Sequence, residues 1–349
     1  MNKILVTRQI PQHYVEQLKK IGQVVMWEHD LTPMSRESFL ANVEDATACV
    51  ITLSEHIDEE VFLRAQQLKV IANMAVGFDN IDISLAKKHG VVVTNTPHVL
   101  TETTAELGFT LMLTVARRII EATSYIQEGK WKSWGPYLLS GKDVYGATVG
   151  IFGMGDIGKA FARRLQGFDA RIIYHNRKRD LNAERDLNAT YVTFKSLLEQ
   201  SDFIICTAPL TKETENQFDA RAFNKMKNDA VFINIGRGAI VDEEALLEAL
   251  KNHEIQACGL DVTRQEPIQP NHPILKLPNA VVLPHIGSAS QVTRNRMVQL
   301  CIDNIKAVLK MISGCTLSII IFTRSLGTEV SIGTYPQPDL IAPIIPTIM

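Results

Sequence analysis

The sequence predicts an α/β protein of two doubly wound parallel-sheet domains, and three observations predict it. Short apolar runs alternate with helix-spaced stretches over the first hundred residues. The same alternation returns between Thr148 and Leu283. Long helical patterns, Thr101 to Glu121 and Ser288 to Leu309, follow each set and carry the chain onward. At 349 residues there is enough chain for two cores. A net charge of −2 provides no basic field for nucleic acid.

In order, Lys3 to Thr7 reads as a buried strand, His13 to Lys20 as a helix with Val15 and Leu18 inward, and Gln23 to Trp27 as a strand. Met34 to Val43 is helical, Ala48 to Thr52 a strand, and Asp58 to Ala65 helical. Lys69 to Asn73, Ile83 to His89 and Val91 to Thr94 follow as strand, helix and strand. The strand at Val70 to Ala72 runs into Asn73-Met74-Ala75-Val76-Gly77-Phe78. Ligands of open α/β sheets gather beyond the carboxyl ends of strands. Gly77 there lets the loop offer the Val76 and Gly77 N–H groups to an anion; an ordinary turn is the alternative.

Asn95-Thr96-Pro97 breaks the pattern and marks a crossing between domains. Thr101 to Glu121 reads as one long helix, with Thr101-x-x-Thr104 and Thr103-x-x-Glu106 offering caps. Leu107, Leu111, Val115 and Ile119 form its apolar stripe. Gly129 to Gly141 holds Trp131, Trp134, Pro136 and Tyr137, either a contact surface or a loop tucked on its own domain.

Residues 147–176 organise the second domain. Thr148 to Phe152 is a buried strand, and Gly153-Met154-Gly155-Asp156-Ile157-Gly158 follows at once as G-x-G-x-x-G. Lys159 to Gln166 is helical, and Arg171 to Tyr174 is a second strand. In that setting the motif reads as a Rossmann dinucleotide site. Gly153 permits the turn, Gly155 lets the backbone approach a pyrophosphate, and Gly158 lets helix and strand pack closely. The helix N-terminus offers N–H groups to the phosphates.

The tip of the second strand selects the dinucleotide. A carboxylate there binds the ribose hydroxyls of NAD, whereas an Arg accommodates the 2′-phosphate of NADP. Here the chain reads His175-Asn176-Arg177-Lys178-Arg179, with no acid before Asp180. NADP(H) is therefore expected to be preferred, with NAD(H) possible; a solvated basic loop is the alternative.

The remaining strands are Asp202 to Thr207, Ala230 to Asn234, Ala257 to Leu260 and Ala280 to Leu283, with Glu243 to Lys251 helical. Ser288 to Leu309 is a helix with Val292, Met297, Leu300, Ile305 and Val308 apolar, expected to pack back on the first domain. From Met311 the composition changes: only Arg324, Glu329 and Asp339 are charged. That tail reads as an extra strand around Cys315 to Phe322, an association segment, or a frame-altered ending, the last ranking first.

Three strand ends carry chemistry. They are Phe232-Ile233-Asn234-Ile235-Gly236-Arg237, Gly259-Leu260-Asp261-Val262-Thr263-Arg264-Gln265-Glu266, and Leu283-Pro284-His285-Ile286-Gly287. One Arg, one Glu and one His thus share the carboxyl edge of the dinucleotide sheet. Singly, each has a structural explanation; together they supply what carbonyl reduction needs. The carbon receives hydride and the oxygen must receive a proton, a task suited to His. A neighbouring carboxylate favours imidazolium. An Arg fork can orient a carboxylate or polarise a keto oxygen.

The stretches NMAVGFDNID, TTAELGFTLML, GIFGMGDIGKAFARR, FINIGRGAIVDEEAL, GLDVTRQEP and LPHIGSAS, in that order, resemble the D-isomer-specific 2-hydroxyacid dehydrogenases, glyoxylate/hydroxypyruvate reductases in particular. The resemblance spans residues 1 to about 310. It implies a substrate domain of residues 1–99 and 286–310 with a flavodoxin-like fold, interrupted by an NAD(P)-binding Rossmann domain of residues 100–285, and an atypical tail of 311–349. It implies Arg237, Glu266 and His285 as catalytic, with His285 the proton donor. It implies Val76 and Gly77, with Arg237 and His285, as substrate-binding. Gly153, Gly155, Asp156, Ile157 and Gly158 correspond to the pyrophosphate loop, and Asn176, Arg177, Lys178 and Arg179 to the adenosine-ribose pocket. Thr104, Ile235, Asp261, His285 and Gly287 correspond to further cofactor contacts. It further implies a homodimer formed through the dinucleotide domain, with the Trp131–Trp134 loop reaching the partner, and no metal.

Reduction of glyoxylate and hydroxypyruvate is the leading reading. A dehydrogenase of another D-2-hydroxy acid such as 3-phosphoglycerate, and a dinucleotide-sensing, corepressor-like binding protein, remain alternatives. The cysteines Cys49, Cys206, Cys258, Cys301 and Cys315 are scattered without a C-x-x-C pair. With no apolar leader and no membrane-length run, a cytoplasmic setting is expected.

Overall fold

In the computed structural model every strand pairs parallel to its neighbours, in two separate sheets. The structure describes residues 1–313, so the expectations for the tail beyond Ser313 lie outside the described residues. The chain divides into two units: Met1–Val99 with the segment from Gln291 onward, and Leu100–Ser290. Near the second crossing Asp261 accepts the N–H groups of Ile286 and Gly287 and holds that turn to the second unit.

The first unit contains β1 (Lys3–Val6), α1 (Gln12–Lys19), β2 (Gln23–Met26), α2 (Arg36–Val43), β3 (Ala48–Ile51), α3 (Glu59–Arg64), β4 (Val70–Asn73), α4 (Ile83–Lys88) and β5 (Val92–Thr94). The second contains α5 (Thr101–Ala116), α6 (Ile119–Gln127), β6 (Thr148–Phe152), α7 (Asp156–Leu165), β7 (Arg171–His175), α8 (Leu181–Leu187), β8 (Thr190–Tyr191), α9 (Phe194–Gln200) and β9 (Phe203–Cys206). It continues through α10 (Ala220–Asn224), β10 (Val231–Asn234), α11 (Glu243–Lys251), β11 (Ala257–Leu260) and β12 (Ala280–Val282). Helix α12 (Gln291–Ser313) returns to the first unit. Many helices start where a short polar side chain takes an amide two or three residues on; Asp58, Asp82, Asp180, Asp219 and Asp242 all do so.

The first sheet runs β2-β1-β3-β4-β5, a flavodoxin-like order that reverses between β1 and β3. Strands β3 and β4 are buried at all four positions, as expected of parallel strands covered on both faces. One face packs Leu5, Cys49 and Ile51 against Phe39, Val43, Val61 and Phe62. The other packs Ile4, Val6, Val50 and Ala72 against Val15 and Leu18 of α1 and Val298, Cys301, Ile302 and Ile305 of α12. The second sheet runs β12-β11-β10-β9-β6-β7-β8, with β6 near its middle. Each fully buried Ile, Leu or Phe in these layers contributes about 1.5–3 kcal/mol relative to exposure.

Several local expectations are corrected. The long helix is two, α5 and α6, because Lys142 N–H takes the Ala116 carbonyl and Arg118 turns left-handed, φ 52°. No side chain caps α5 at Leu100; Thr104 is instead buried on its inner face. That face is Ala105, Gly108, Leu111, Met112, Val115 and Ala116, while Leu107 is half-buried and Ile119 is exposed. Gly108 lets α5 sit on Ile235, where a Cβ would lie 2.5 Å from Ile235 Cδ1. Helix α7 begins at Asp156 rather than Lys159, and α12 at Gln291 rather than Ser288, with Val292 exposed.

Candidate active site

The turn after β6 meets each steric demand read from its glycines. Gly153 has φ 105°, and a Cβ there would come within 2.5 Å of the Ala208 nitrogen. A Cβ on Gly158 would come within 2.4 Å of the Gly153 carbonyl oxygen. A Cβ on Gly155 would meet nothing within 4 Å, so that side of the loop is open. Gly155 precedes α7 with no side-chain cap, leaving the helix start to offer backbone N–H groups. Asp156 and Ile157 form the first residues of that helix. An open backbone at an uncapped helix start fits a pyrophosphate.

Asn176 at the tip of β7 holds the turn. Its Oδ1 accepts Met154 N–H at 2.7 Å, and Gly153 N–H donates to the His175 carbonyl at 3.1 Å. Arg177, Lys178 and Arg179 follow, all exposed. They are not equivalent. Arg179 makes a bidentate pair with Glu184, at 2.9 and 2.5 Å, while Lys159 pairs with Asp180 at 2.6 Å. Hydrogen bonds from Arg179 and then Tyr174 hold the Glu184 carboxyl at about 2, well below the ordinary range. Among the described residues Arg177 and Lys178 form no ion pair, so they, rather than Arg179, are the cations available to an anion.

The ends of β10, β11 and β12 converge at the carboxyl edge of the second sheet. After β10, buried Asn234 folds the chain back: its Oδ1 accepts Gly236 N–H at 3.0 Å and its Nδ2 donates to the Arg237 carbonyl at 2.9 Å. Ile235 is buried beneath α5, and the half-buried Arg237 emerges from the turn. Gly238 lies flat on Thr263, where a Cβ would be 2.0 Å from the Thr263 carbonyl carbon. Thr263 N–H in turn donates to Glu266 Oε1 at 3.1 Å. Glu266 Oε2 lies 2.6 Å from His285 Nδ1. Arg237, Glu266 and His285 are therefore linked through two backbone contacts and one side-chain hydrogen bond.

Beneath them Asp261 is 1% exposed and accepts Ile286 N–H at 2.7 Å and Gly287 N–H at 2.8 Å. Burial raises the Asp261 carboxyl, opposed by the Ile286 amide, the nearby His285 and the Gly287 amide. Gly287 fits against Thr104, to which a Cβ would approach within 3.2 Å. His285 itself is left-handed at φ 53°, a strained state for a residue with a Cβ, costing about 1–3 kcal/mol. That conformation is fixed from both sides by the Asp261 carboxylate below and Glu266 beside it. With Nδ1 committed to a carboxylate, Nε2 is the nitrogen left to exchange a proton.

In the first unit Val76 and Gly77 lie in the loop beyond the carboxyl end of β4, both half-buried. Three asparagines escaped the motif reading. Asn234 shapes the Arg237 turn, while Asn73 and Asn95 donate to the Gly77 and Val76 carbonyls at 2.9 Å each. The one signal for each is an amide at a strand end, which has no signature spacing. Among the described residues no group of His, Cys, Asp and Glu could hold a metal, and no helix is long and apolar enough to cross a membrane.

Comparison with known proteins extends these observations. Residues 109–287 match the model for the D-isomer specific 2-hydroxyacid dehydrogenase NAD binding domain. The chain is 45% identical over 306 residues to a glyoxylate reductase of Korarchaeum cryptofilum, covering 87% of this chain and 92% of that one. It is 44% identical over 309 residues to a glyoxylate reductase of Thermococcus kodakarensis, with the same coverage, 87% and 92%. Among solved structures, a Thermus thermophilus protein matches with a TM-score of 0.82 at 42% identity, over 88% of this chain and 97% of that one. An NADPH-dependent glyoxylate/hydroxypyruvate reductase from Sinorhizobium meliloti, in complex with NADP and malonate, matches with a TM-score of 0.77 at 36% identity, over 88% and 93%.

Proposed function

Given that the chain belongs to the D-isomer-specific 2-hydroxyacid dehydrogenase family, and is an NAD(P)-dependent oxidoreductase of 2-oxo and 2-hydroxy acids, we propose that it reduces glyoxylate to glycolate and hydroxypyruvate to the D-2-hydroxy acid with NADPH. The observation that carries this reading is the 2.6 Å pair of Glu266 and His285 beside the Arg237 turn, at the carboxyl edge of the sheet that also carries the glycine turn.

When bound, the reduced nicotinamide supplies hydride to the carbonyl carbon. His285 then delivers the proton to the carbonyl oxygen from Nε2, and Glu266 holds the ring through Nδ1. Arg237 draws negative charge onto the keto oxygen or grips the carboxylate through its fork. The Val76 and Gly77 loop receives the substrate carboxylate. Asp261, with Thr104, Ile235 and Gly287 around it, lines the nicotinamide side. Gly153, Gly155, Asp156, Ile157 and Gly158 hold the pyrophosphate.

Three features support NADPH over NADH. No acid stands at the tip of β7, Arg177 and Lys178 are exposed beside Asn176, and the Sinorhizobium meliloti relative is an NADPH-dependent enzyme. We also assign the protein as a cytoplasmic homodimer that uses α6 and the Trp131–Tyr137 loop, whose apolar side chains are exposed in the single chain.

The test is consumption of NADPH and of NADH across a panel of glyoxylate, hydroxypyruvate, 3-phosphohydroxypyruvate and longer 2-oxo acids. Turnover of the two small acids with NADPH preferred is expected. A preference for 3-phosphohydroxypyruvate, or for NADH, overturns the corresponding part. No turnover with any 2-oxo acid favours a dinucleotide-sensing protein.

A further inference from the structure

We infer that Asn73 and Asn95 are positioning residues that hold the Val76–Gly77 loop so that its N–H groups face the carboxylate of a 2-oxo acid. The inference rests on the reading that this loop receives the substrate carboxylate, and it names what makes the loop competent.

Three consecutive carbonyls beyond β4 are each clamped. The Ala75 carbonyl accepts Thr96 N–H at 2.8 Å, the Val76 carbonyl accepts Asn95 Nδ2 at 2.9 Å, and the Gly77 carbonyl accepts Asn73 Nδ2 at 2.9 Å. In a trans peptide, the C=O of one residue and the N–H of the next point in opposite directions. The N–H groups of Val76, Gly77 and Phe78 are therefore each turned away from the clamp on their own peptide. None of the three finds an acceptor among the described residues. Backbone donors left over in this way form anion sites, provided the planes that carry them are held still.

The clamps are themselves held. Asn73 is fully buried at the end of β4, and its Nδ2 also reaches Asn80 Oδ1 at 3.5 Å. Asn80 Nδ2 donates to the Thr52 and Glu55 carbonyls at 3.1 and 2.9 Å. Glu55 is 5% exposed and binds Thr7 Oγ1, Arg8 Nη1 and the Thr52 amide at 2.8, 2.9 and 2.7 Å. One polar network thus ties the ends of β1, β3 and β4 to the Gly77 peptide, while Asn95 extends from the end of β5. An amide suits the clamp, because it donates to a carbonyl without carrying charge. A carboxylate has no proton to donate to a carbonyl, and its charge would repel an incoming carboxylate.

The test uses Asn95→Leu, which keeps the bulk and removes the donor at a half-buried position, so the fold survives. KM for glyoxylate should rise about 5–10-fold, as for one lost neutral hydrogen bond, with kcat within about twofold and NADPH affinity unchanged. Asn73→Leu should act the same way if its melting temperature shows it folded. Separately, protein labelled with nitrogen-isotope glycine is titrated with oxamate, a non-reducible isostere of a short 2-oxo acid. The Gly77 amide resonance should move, and should need more oxamate in Asn95→Leu. An unchanged KM in folded Asn95→Leu, or a Gly77 amide indifferent to oxamate in a protein that turns over glyoxylate, overturns the inference. A Gly77 response without turnover of any 2-oxo acid upholds it and sinks the reductase reading instead.

Discussion

His285 Nδ1 sits 2.6 Å from Glu266 Oε2, and His285 reaches that position only through a left-handed backbone at φ 53°. The strain is local, and the Asp261 carboxylate that binds the next two amides holds it in place. Such an arrangement fixes one ring nitrogen and leaves the other for chemistry.

His285→Ala should therefore lower kcat by about 10²–10⁴-fold, the usual loss for a general acid. NADPH affinity, measured by fluorescence titration, should change little. Glu266→Gln keeps a hydrogen-bond acceptor for Nδ1 but not the charge, so its kcat should fall less than that of His285→Ala. An unchanged kcat in His285→Ala rules out the proton-donor role.

Arg237 leaves a turn shaped by Asn234 on one side and Thr263 on the other. Its planar fork is the property at stake, not charge alone. Arg237→Lys should thus lose kcat/KM for glyoxylate by roughly 10²-fold, against little change in NADPH affinity. An effect confined to NADPH binding contradicts its assignment to the substrate.

The glycine turn separates folding from binding. Gly153→Ala forces a side chain into φ 105° against Ala208 and should destabilise the apo protein by about 1–3 kcal/mol, seen as a lower Tm. A Cβ on Gly155 meets nothing in the protein, so Gly155→Ala should leave Tm unchanged yet weaken NADPH binding. Equal NADPH affinity in Gly155→Ala and the parent means that no pyrophosphate approaches there.

What could be read from residues alone divides along physical lines. Strands buried on both faces, β3, β4, β9 and β10, are apolar runs, with only the closing Asn73 of β4 and Asn234 of β10 polar, and steric need at Gly153 and Gly158 is written in the residue type itself. The end of α5 is not written locally. It is set by Lys142, whose N–H takes the Ala116 carbonyl from far along the chain. Asn176 was legible as the absence of an acid, but its use of Oδ1 to hold Met154 is a tertiary fact. Arg179 reads as one of three equal cations until α8 brings Glu184 beside it. Asn73, Asn95 and Asn234 work by donating to carbonyls, a task that imposes no spacing.

Glu184 offers a pH test. Its carboxyl is held at about 2 against an ordinary 4.5, chiefly by Arg179 and then by Tyr174. A depressed folded value means the ionised form supports the fold. That support is present above about pH 4.5 and is lost as pH falls toward 2. Glu184→Gln should flatten the dependence of Tm on pH in that window. It should also release Arg179 and shift relative affinity toward NADPH. A steeper acid dependence, or a shift toward NADH, contradicts both roles.

Helix α6 has no buried residue, although Ile119, Ile120 and Ile126 are 49%, 54% and 59% exposed. Trp131, Trp134 and Tyr137 follow at 57%, 80% and 86%. A short helix with its apolar side chains exposed gains little from its own hydrogen bonds in water, so an apolar partner would stabilise it. A second copy of the chain supplies such a face by symmetry. The parent should sediment as the proposed dimer in analytical ultracentrifugation, and Ile120→Glu with Ile126→Glu, which places charge where that contact would form, should sediment as a monomer. The isolated variant should also lose helical signal in proportion to α6, since among the described residues α6 has no buried residue. Persistence of the dimer with both substitutions would falsify the assignment of α6 to the interface.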